Sequence, residues 1–130
     1  MEAVDLNVVM FRDRRENIRR AMQVSEVVAE HRGGETELKP NVIYRWRSQD
    51  DEIVKHNESV KLFDQLELHA GLKEEEIMDS LEERKDILDW MVEKGVDNVD
   101  QVGKVIAEYY QDPDKIVDQV EDGEEPENIL

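Results

Sequence analysis

Between Lys73 and Lys94 the chain reads KEEEIMDSLEERKDILDWMVEK, a long run without a Gly, Pro or Thr. Glu, Lys, Leu and Met dominate it, and all four have high helix propensity. Ile77, Leu81, Leu88 and Met91 recur at steps of four and three, with the stem of Arg84 filling the missing place. Steps of that size lay one stripe along a helix, so the spacing predicts an amphipathic helix of about six turns. Glu74, Glu75 and Glu76 stand in the first turn and Lys94 in the last, the signs that the helix dipole favours. Gly95 follows, where a left-handed residue would close the helix. Such a stripe must be covered by neighbouring segments. The polar residues read as a solvated face rather than as chemistry.

Before Ser59 the period is different. Asp5–Phe11, DLNVVMF, is an apolar run with β-branched residues and reads as a buried strand. The charged cluster Arg12–Asn17 makes the turn. Ile18–Glu30 fits either a strand or a helical stripe, and the strand and tight turn before it favour a hairpin partner. His31–Pro40, with Gly33-Gly34, reads as a loop. Val42, Tyr44 and Trp46 then alternate with Ile43, Arg45 and Arg47, which predicts a strand with the even residues on its packed face. Ser48–Asp51 is a turn and Glu52–His56 a shorter returning strand.

From Ser59, a plausible N-cap, the helical period takes over. Val60, Phe63, Leu66 and Ala70 share one face up to Gly71, and with the long helix they predict an αα-hairpin. Asn98 and Gln101 look like a cap and its partner, ahead of an inner face of Val102, Ile106 and Tyr109. Asp112-Pro113 starts a last short helix carrying Ile116, Val117 and Val120. Strands come first and helices after, so the expected class is α+β. The architecture is a small antiparallel β-sheet of two hairpins followed by a C-terminal bundle of three to four helices. The expected division is 1–57 for the β-rich segment, 58–121 for the bundle and 122–130 for a disordered acidic tail.

Thirty-four Asp and Glu against seventeen Lys and Arg leave a net charge of −17. A surface this acidic repels phosphate backbones and anionic lipids, which argues against nucleic-acid or membrane-surface roles. No apolar run approaches the ~20 residues of a membrane span. The expected location is the cytoplasm, with any membrane association made through partners. Without cysteine there can be no disulfide, thiolate metal site or thiol nucleophile. Self-repulsion of this size is screened within a few ångströms in molar salt, which suits the interior of a haloarchaeal cell.

The usual carriers of chemistry are missing from the pattern. Gly33-Gly34 is followed by Glu-Thr-Glu rather than by the Lys and hydroxyl of a phosphate-binding loop. His31, His56 and His69 have no ligand spacing, and Asp112–Asp114 lacks the Gly and closing Glu of a calcium loop. The residues therefore predict no catalytic, cofactor or metal site. Trp46 and Trp90 read as packing anchors, since no basic groove accompanies them. Arg12, Arg14, Arg15, Arg19 and Arg20 stand out in so acidic a chain. They read either as a solvated turn and strand edge or as a docking edge for acidic surface on another domain or subunit. Arg15, Arg19, Arg20 and Arg45 are the candidate partner-binding residues.

Four stretches, taken in order, resemble a known family. LNVVMFRDRRENIRRAMQVSEVVAE is an apolar strand, a basic turn and a paired-Arg strand; VIYRWRSQDDEIVKHNES is an aromatic-Arg strand, a polar turn and a return. LHAGLKEEEIMDSLEERKDILDWMVEKGV carries the arrangement E-x-x-x-x-L-x-x-R-x-x-I-L-x-W-M, and VGKVIAEYYQDPDKI closes with Tyr-Tyr and Asp-Pro. Together they resemble the C-terminal region of archaeal type II/IV secretion-system ATPases, the group of archaellum and type IV pilus assembly motors. The basic turn lacks the family's usual Gly, and Lys73 stands where a Ser or Thr cap is usual.

The resemblance implies a non-catalytic assembly and support domain of a hexameric motor that powers pilus or archaellum assembly or protein secretion. ATP and Mg²⁺ would belong to the parent protein, whose P-loop and acidic and histidine boxes have no counterpart among these residues. The implied partners are the ATPase core of the same polypeptide, neighbouring subunits and a membrane platform protein. The alternative is a stand-alone acidic adaptor or regulatory interaction module. The high-salt reading makes its own prediction: the melting temperature rises steeply from low to molar KCl, and melting indifferent to salt would remove that reading.

Overall fold

The computed structural model describes residues 5–129. Its front half is one antiparallel meander of β1 (Leu6–Asp13), β2 (Ile18–Arg32), β3 (Glu35–Arg47) and β4 (Glu52–Lys55), hydrogen-bonded in that order. Ile18–Glu30 is therefore strand throughout. Residues 31–40, expected as a loop, instead continue the ladder, with His31 opposite Thr36 and Arg32 opposite Glu35. The turn needs only Gly33 and Gly34, whose φ values of +57° and +82° are those a two-residue hairpin of matching twist requires. Pro40 fits inside β3 because β4 pairs only with Tyr44–Arg47, leaving that stretch an open edge where a missing N–H is tolerated.

Two β-bulges alter the expected faces. The register between β1 and β2 skips Met22, and that between β2 and β3 skips Ile43. An extra residue resets the alternation of the side chains after it. Ile43 is accordingly the buried residue of β3, while Tyr44, expected on the packed face, is 42% exposed. β1 is not the buried strand its composition suggests. Among the described residues it is the outer strand, with one neighbour, and Leu6, Val8, Val9 and Met10 are all exposed.

Glu26 in β2 is fully buried and accepts hydrogen bonds from both sides of the meander. Asn41, its cross-strand partner in β3, donates through Nδ2 at 2.8 Å, and Ser59 donates its hydroxyl at 2.9 Å. The backbone N–H groups of Val60, Lys61 and Leu62 complete the set. These amides open α1 (Leu62–Ala70), so a distant carboxylate does the capping that the sequence assigned to Ser59. Two carboxylate oxygens facing several amides at the positive end of a helix outcompete one local hydroxyl. Gly71, with φ +67°, ends α1 as expected.

The chain packs as two units, the first ending at Leu72 and the second starting at Lys73. α1 thus groups with the sheet rather than with the later helices, although its helical period begins the pattern expected from residue 58 onward. The second unit contains α2 (Glu74–Glu93), α3 (Val99–Gln111), α4 (Pro113–Glu121) and α5 (Pro126–Ile129). Its core joins Ile87, Trp90 and Met91 of α2 to Val96, Val105 and Ile116, with Val102, Tyr109, Val117 and Val120 packed around them. Leu81 and Leu88, placed on the inner stripe by spacing, are exposed. The large indole of Trp90 turns the buried arc toward Ile87, Trp90 and Met91, which also share one helical face. The same rotation on α3 buries Val105 and leaves Ile106 exposed.

Gly95 closes α2 at φ +68°. Its N–H reaches the Val92 carbonyl at 3.2 Å and that of Val96 reaches Met91 at 2.8 Å, a Schellman motif. Asn98 caps α3 by accepting from the Asp100 amide, and Asp112 accepts from the Lys115 amide ahead of Pro113. Residues 122–129 are not a frayed tail. Trp90 donates its indole N–H to the Glu124 carbonyl at 3.0 Å, Lys94 pairs with Glu125 at 2.7 Å, and Ile129 packs on the core. One apolar residue and two fixed polar contacts suffice to hold a segment whose composition alone suggests disorder.

Burial pushes the Glu26 pKa up, but the bonds from Val60, Asn41, Leu62 and Ser59 overcome it and bring the group from 4.5 down to about 2. The ionised carboxylate therefore stabilises the fold in full above its unfolded pKa, and that share is lost as pH falls through the folded one. Glu26→Gln, which turns an N–H group toward donors, should cost about 3 kcal/mol at neutral pH in urea unfolding. The gap between the two proteins should narrow as the pH drops from about 5 to about 2. An equal gap at both ends of that range would show that the charge of Glu26 is not what matters.

Candidate functional site

The end of the first hairpin carries the densest positive charge of the chain. Arg14 and Arg15 stand in the turn, and Arg12 and Arg19 lie directly opposite each other on β1 and β2. Like charges in register are unfavourable unless something else compensates. All four arginines are exposed and form no ion pair among the described residues. Arg45, also exposed and without an ion pair there, lies beyond the bulge at Met22, opposite Gln23 and Val54. The structure thus brings Arg15 and Arg19 together with Arg12 and Arg14, and sets Arg45 apart from them.

Arg20 has a different part. Its Nε and Nη2 donate to the two oxygens of Asp51 at 2.6 and 2.8 Å, a bidentate pair linking the first hairpin to the β3–β4 turn. The Trp46 indole donates to the same carboxylate at 2.9 Å and stacks on Phe11, ring centroids 5.5 Å apart. Asp51 takes the left-handed backbone, φ +52°, that places its side chain there. A hollow of about 570 Å³ opens beside this cluster, walled by Phe11, Ile18, Met22 and Trp46. The Arg20 bond, and after it the Trp46 bond, hold the Asp51 pKa at about 2 against a smaller opposing effect of burial. Arg20 is therefore already partnered, which removes it from the candidate docking residues. Sequence periodicity offers no signal for this link, because it joins residues far apart in the chain.

The helical unit presents two grooves along α2. One, of about 230 Å³, lies against α4, with Ile87, Val117 and Val120 beneath Asp79, Glu82, Asp86 and Glu121. The other, of about 210 Å³, lies against α3 and is lined by Leu88, Met91, Ile106 and Tyr110. Between them the Tyr109 hydroxyl donates to Glu83 at 2.7 Å, under the guanidinium of Arg84.

Glu26 and Asp51 are held ionised with their oxygens occupied, and the shifts of Arg20, Lys85, Lys94 and Tyr109 are all upward. Every shifted group moves away from neutral pH, the opposite of what a general acid or base needs. The imidazole of His31 lies 3.0 Å from the Thr36 hydroxyl. Among the described residues no group of three His, Asp or Glu side chains could hold a metal ion, and no helix is long and apolar enough to cross a membrane.

The Asp51 cluster predicts a local response. In Asp51→Ala the Trp46 indole proton should exchange with solvent several-fold faster by NMR, while that of Trp90, bonded to the Glu124 carbonyl, should not change. Equal exchange at Trp46 before and after would show that Asp51 does not hold it. No protein-family model matches the chain, and no curated protein matches it at a significant level.

Proposed function

We propose that this chain is a non-catalytic assembly and support module, and that its setting is the C-terminal region of a hexameric secretion-type ATPase. The observation that carries the reading is the outer strand β1. Along one edge it offers eight residues of backbone without a neighbouring strand among the described residues, and Leu6, Val8, Val9 and Met10 stand exposed on it. Edge strands of proteins that work alone are blunted by Pro, Lys, an inward charge or a bulge. β1 has no Pro, no Lys and no charge until Arg12, and the extra residue of the bulge in its ladder, Met22, belongs to β2. An edge left in this state is suited to receive a further strand, with main-chain hydrogen bonds for affinity and alternate side chains for specificity. In the motor reading that strand comes from the ATPase core, and ATP with Mg²⁺ stays in the core. The resemblance of four ordered stretches supplies the setting, which is an argument from analogy.

The test supplies the nucleotide-binding core of an archaeal secretion ATPase as a separate protein. The chain should join it into a ring and raise its ATP turnover. Val8→Lys with Met10→Lys, both at exposed positions, should leave the fold intact by circular dichroism and abolish that effect. A chain that leaves both assembly and turnover of the core unchanged would remove the motor setting and favour the acidic adaptor.

A further inference from the structure

The charge of the chain is divided unevenly between its units. Up to Leu72 eleven Lys and Arg face fourteen Asp and Glu, and from Lys73 onward six face twenty. The sheet unit is thus nearly neutral overall and gathers its positive charge in Arg12, Arg14, Arg15 and Arg19. Of the acids nearest to them, Glu16 is exposed in the same turn and lies within ion-pair distance of none of them, and the other two are engaged. Asp13 Oδ1 accepts the backbone N–H groups of Arg15 and Glu16 at 2.8 and 3.4 Å, and Asp51 is held by Arg20. In a chain with two acids for every base, four neighbouring arginines form no ion pair among the described residues.

The helical unit holds the counterpart. In the groove between α2 and α4, Asp79, Glu82, Asp86 and Glu121 form no ion pair among the described residues. Asp79, Glu82 and Asp86 are spaced to share one face of α2, above an apolar floor of Ile87, Val117 and Val120. That combination suits arginine, whose stem lies on apolar surface while its guanidinium forks onto a carboxylate.

We propose that the arginine-bearing end of the first hairpin in one molecule docks into the α2–α4 groove of a second copy, so that the chain associates head to tail. A second copy is the occupant because both halves of the contact, opposite in sign, stand on the same chain. Nucleic acid would engage the arginines alone and leave the acidic groove unused, whereas a second copy engages both, its local complementarity set against the long-range repulsion of two molecules of net charge −17. The two surfaces differ, so the contact is heterologous and leads to a closed ring or an open filament. It depends on charge and groove shape, not on the motor setting or on β1.

Sedimentation velocity on the full chain tests it with two paired charge reversals at exposed positions, Arg15→Glu with Arg19→Glu and Glu82→Lys with Asp86→Lys. The wild type should form oligomers at about 0.15 M KCl. Each variant should associate more weakly by about tenfold or more. Mixing the two should restore association, because the native arginines of one meet the native groove of the other. Circular dichroism confirms the fold of each, and Arg15→Gln with Arg19→Gln carries the test if reversal unfolds the hairpin. A wild type that stays monomeric, variants that associate as the wild type does, or a mixture that remains monomeric would each overturn the proposal.

Discussion

A single buried carboxylate decides how the sheet unit is assembled. Taking a charge out of water costs several kcal/mol even after relaxation, so Glu26 can stay ionised only with a full shell of donors. It has them, from a strand on one side and from the entry to α1 on the other. α1 has nine residues and buries none of them, too short and too exposed to hold its place by propensity or by its own apolar face. Its position relative to the sheet follows from Glu26. The Asn41 amide extends the network by donating also to the Glu58 carbonyl, which fixes the chain just before the helix begins. Remove the charge, and both the strand pair and the helix entry lose the group they share.

The sequence made some of this legible. Period two before Ser59 and period 3.6 after it gave the order of elements, and the glycines gave their ends. What failed did so for identifiable reasons. The bulges at Met22 and Ile43 each insert a residue that alternation cannot register, and the residue buried in β3 is Ile43 rather than the expected Tyr44. On α2 and α3, adjacent apolar residues such as Ile87 and Leu88 compete for the inside, and the volume of Trp90 settles a choice that spacing leaves open. Glu26 did leave a trace: it shares even parity with Met22, Val24 and Val28, an acid set between apolar residues of one strand face. The donors from Ser59 onward arrive from more than thirty residues away, so the trace could mark an anomaly but not name a cap.

Asp51 has the same lowered pKa as Glu26, for a different reason and with a different consequence. Its carboxylate is half exposed, and exposed ion pairs contribute little on their own. What distinguishes the Arg20 pair is its geometry: a two-point contact, a shared indole donor and a stacked Phe11, which together restrict rotation about each member. The pair joins β2 to the turn after β3, a link that the short β4 ladder does not itself make. This sorts five clustered arginines into two kinds. Arg20 belongs to the fold, and its neighbours do not.

That sorting bears on why so acidic a chain keeps arginines at all. Surface repulsion in the helical unit would be relieved most directly by basic residues placed within it, yet that unit has only six. Nine arginines are present in the whole chain, and eight of them lie before Leu72. Positive charge has therefore not been spread to neutralise the molecule, which would favour the isolated folded state. It has been concentrated on one hairpin end, where Arg12 and Arg19 face each other in register at a local cost. The isolated molecule carries that cost, and the docking proposed above would offset it by bringing an anionic surface to the arginines.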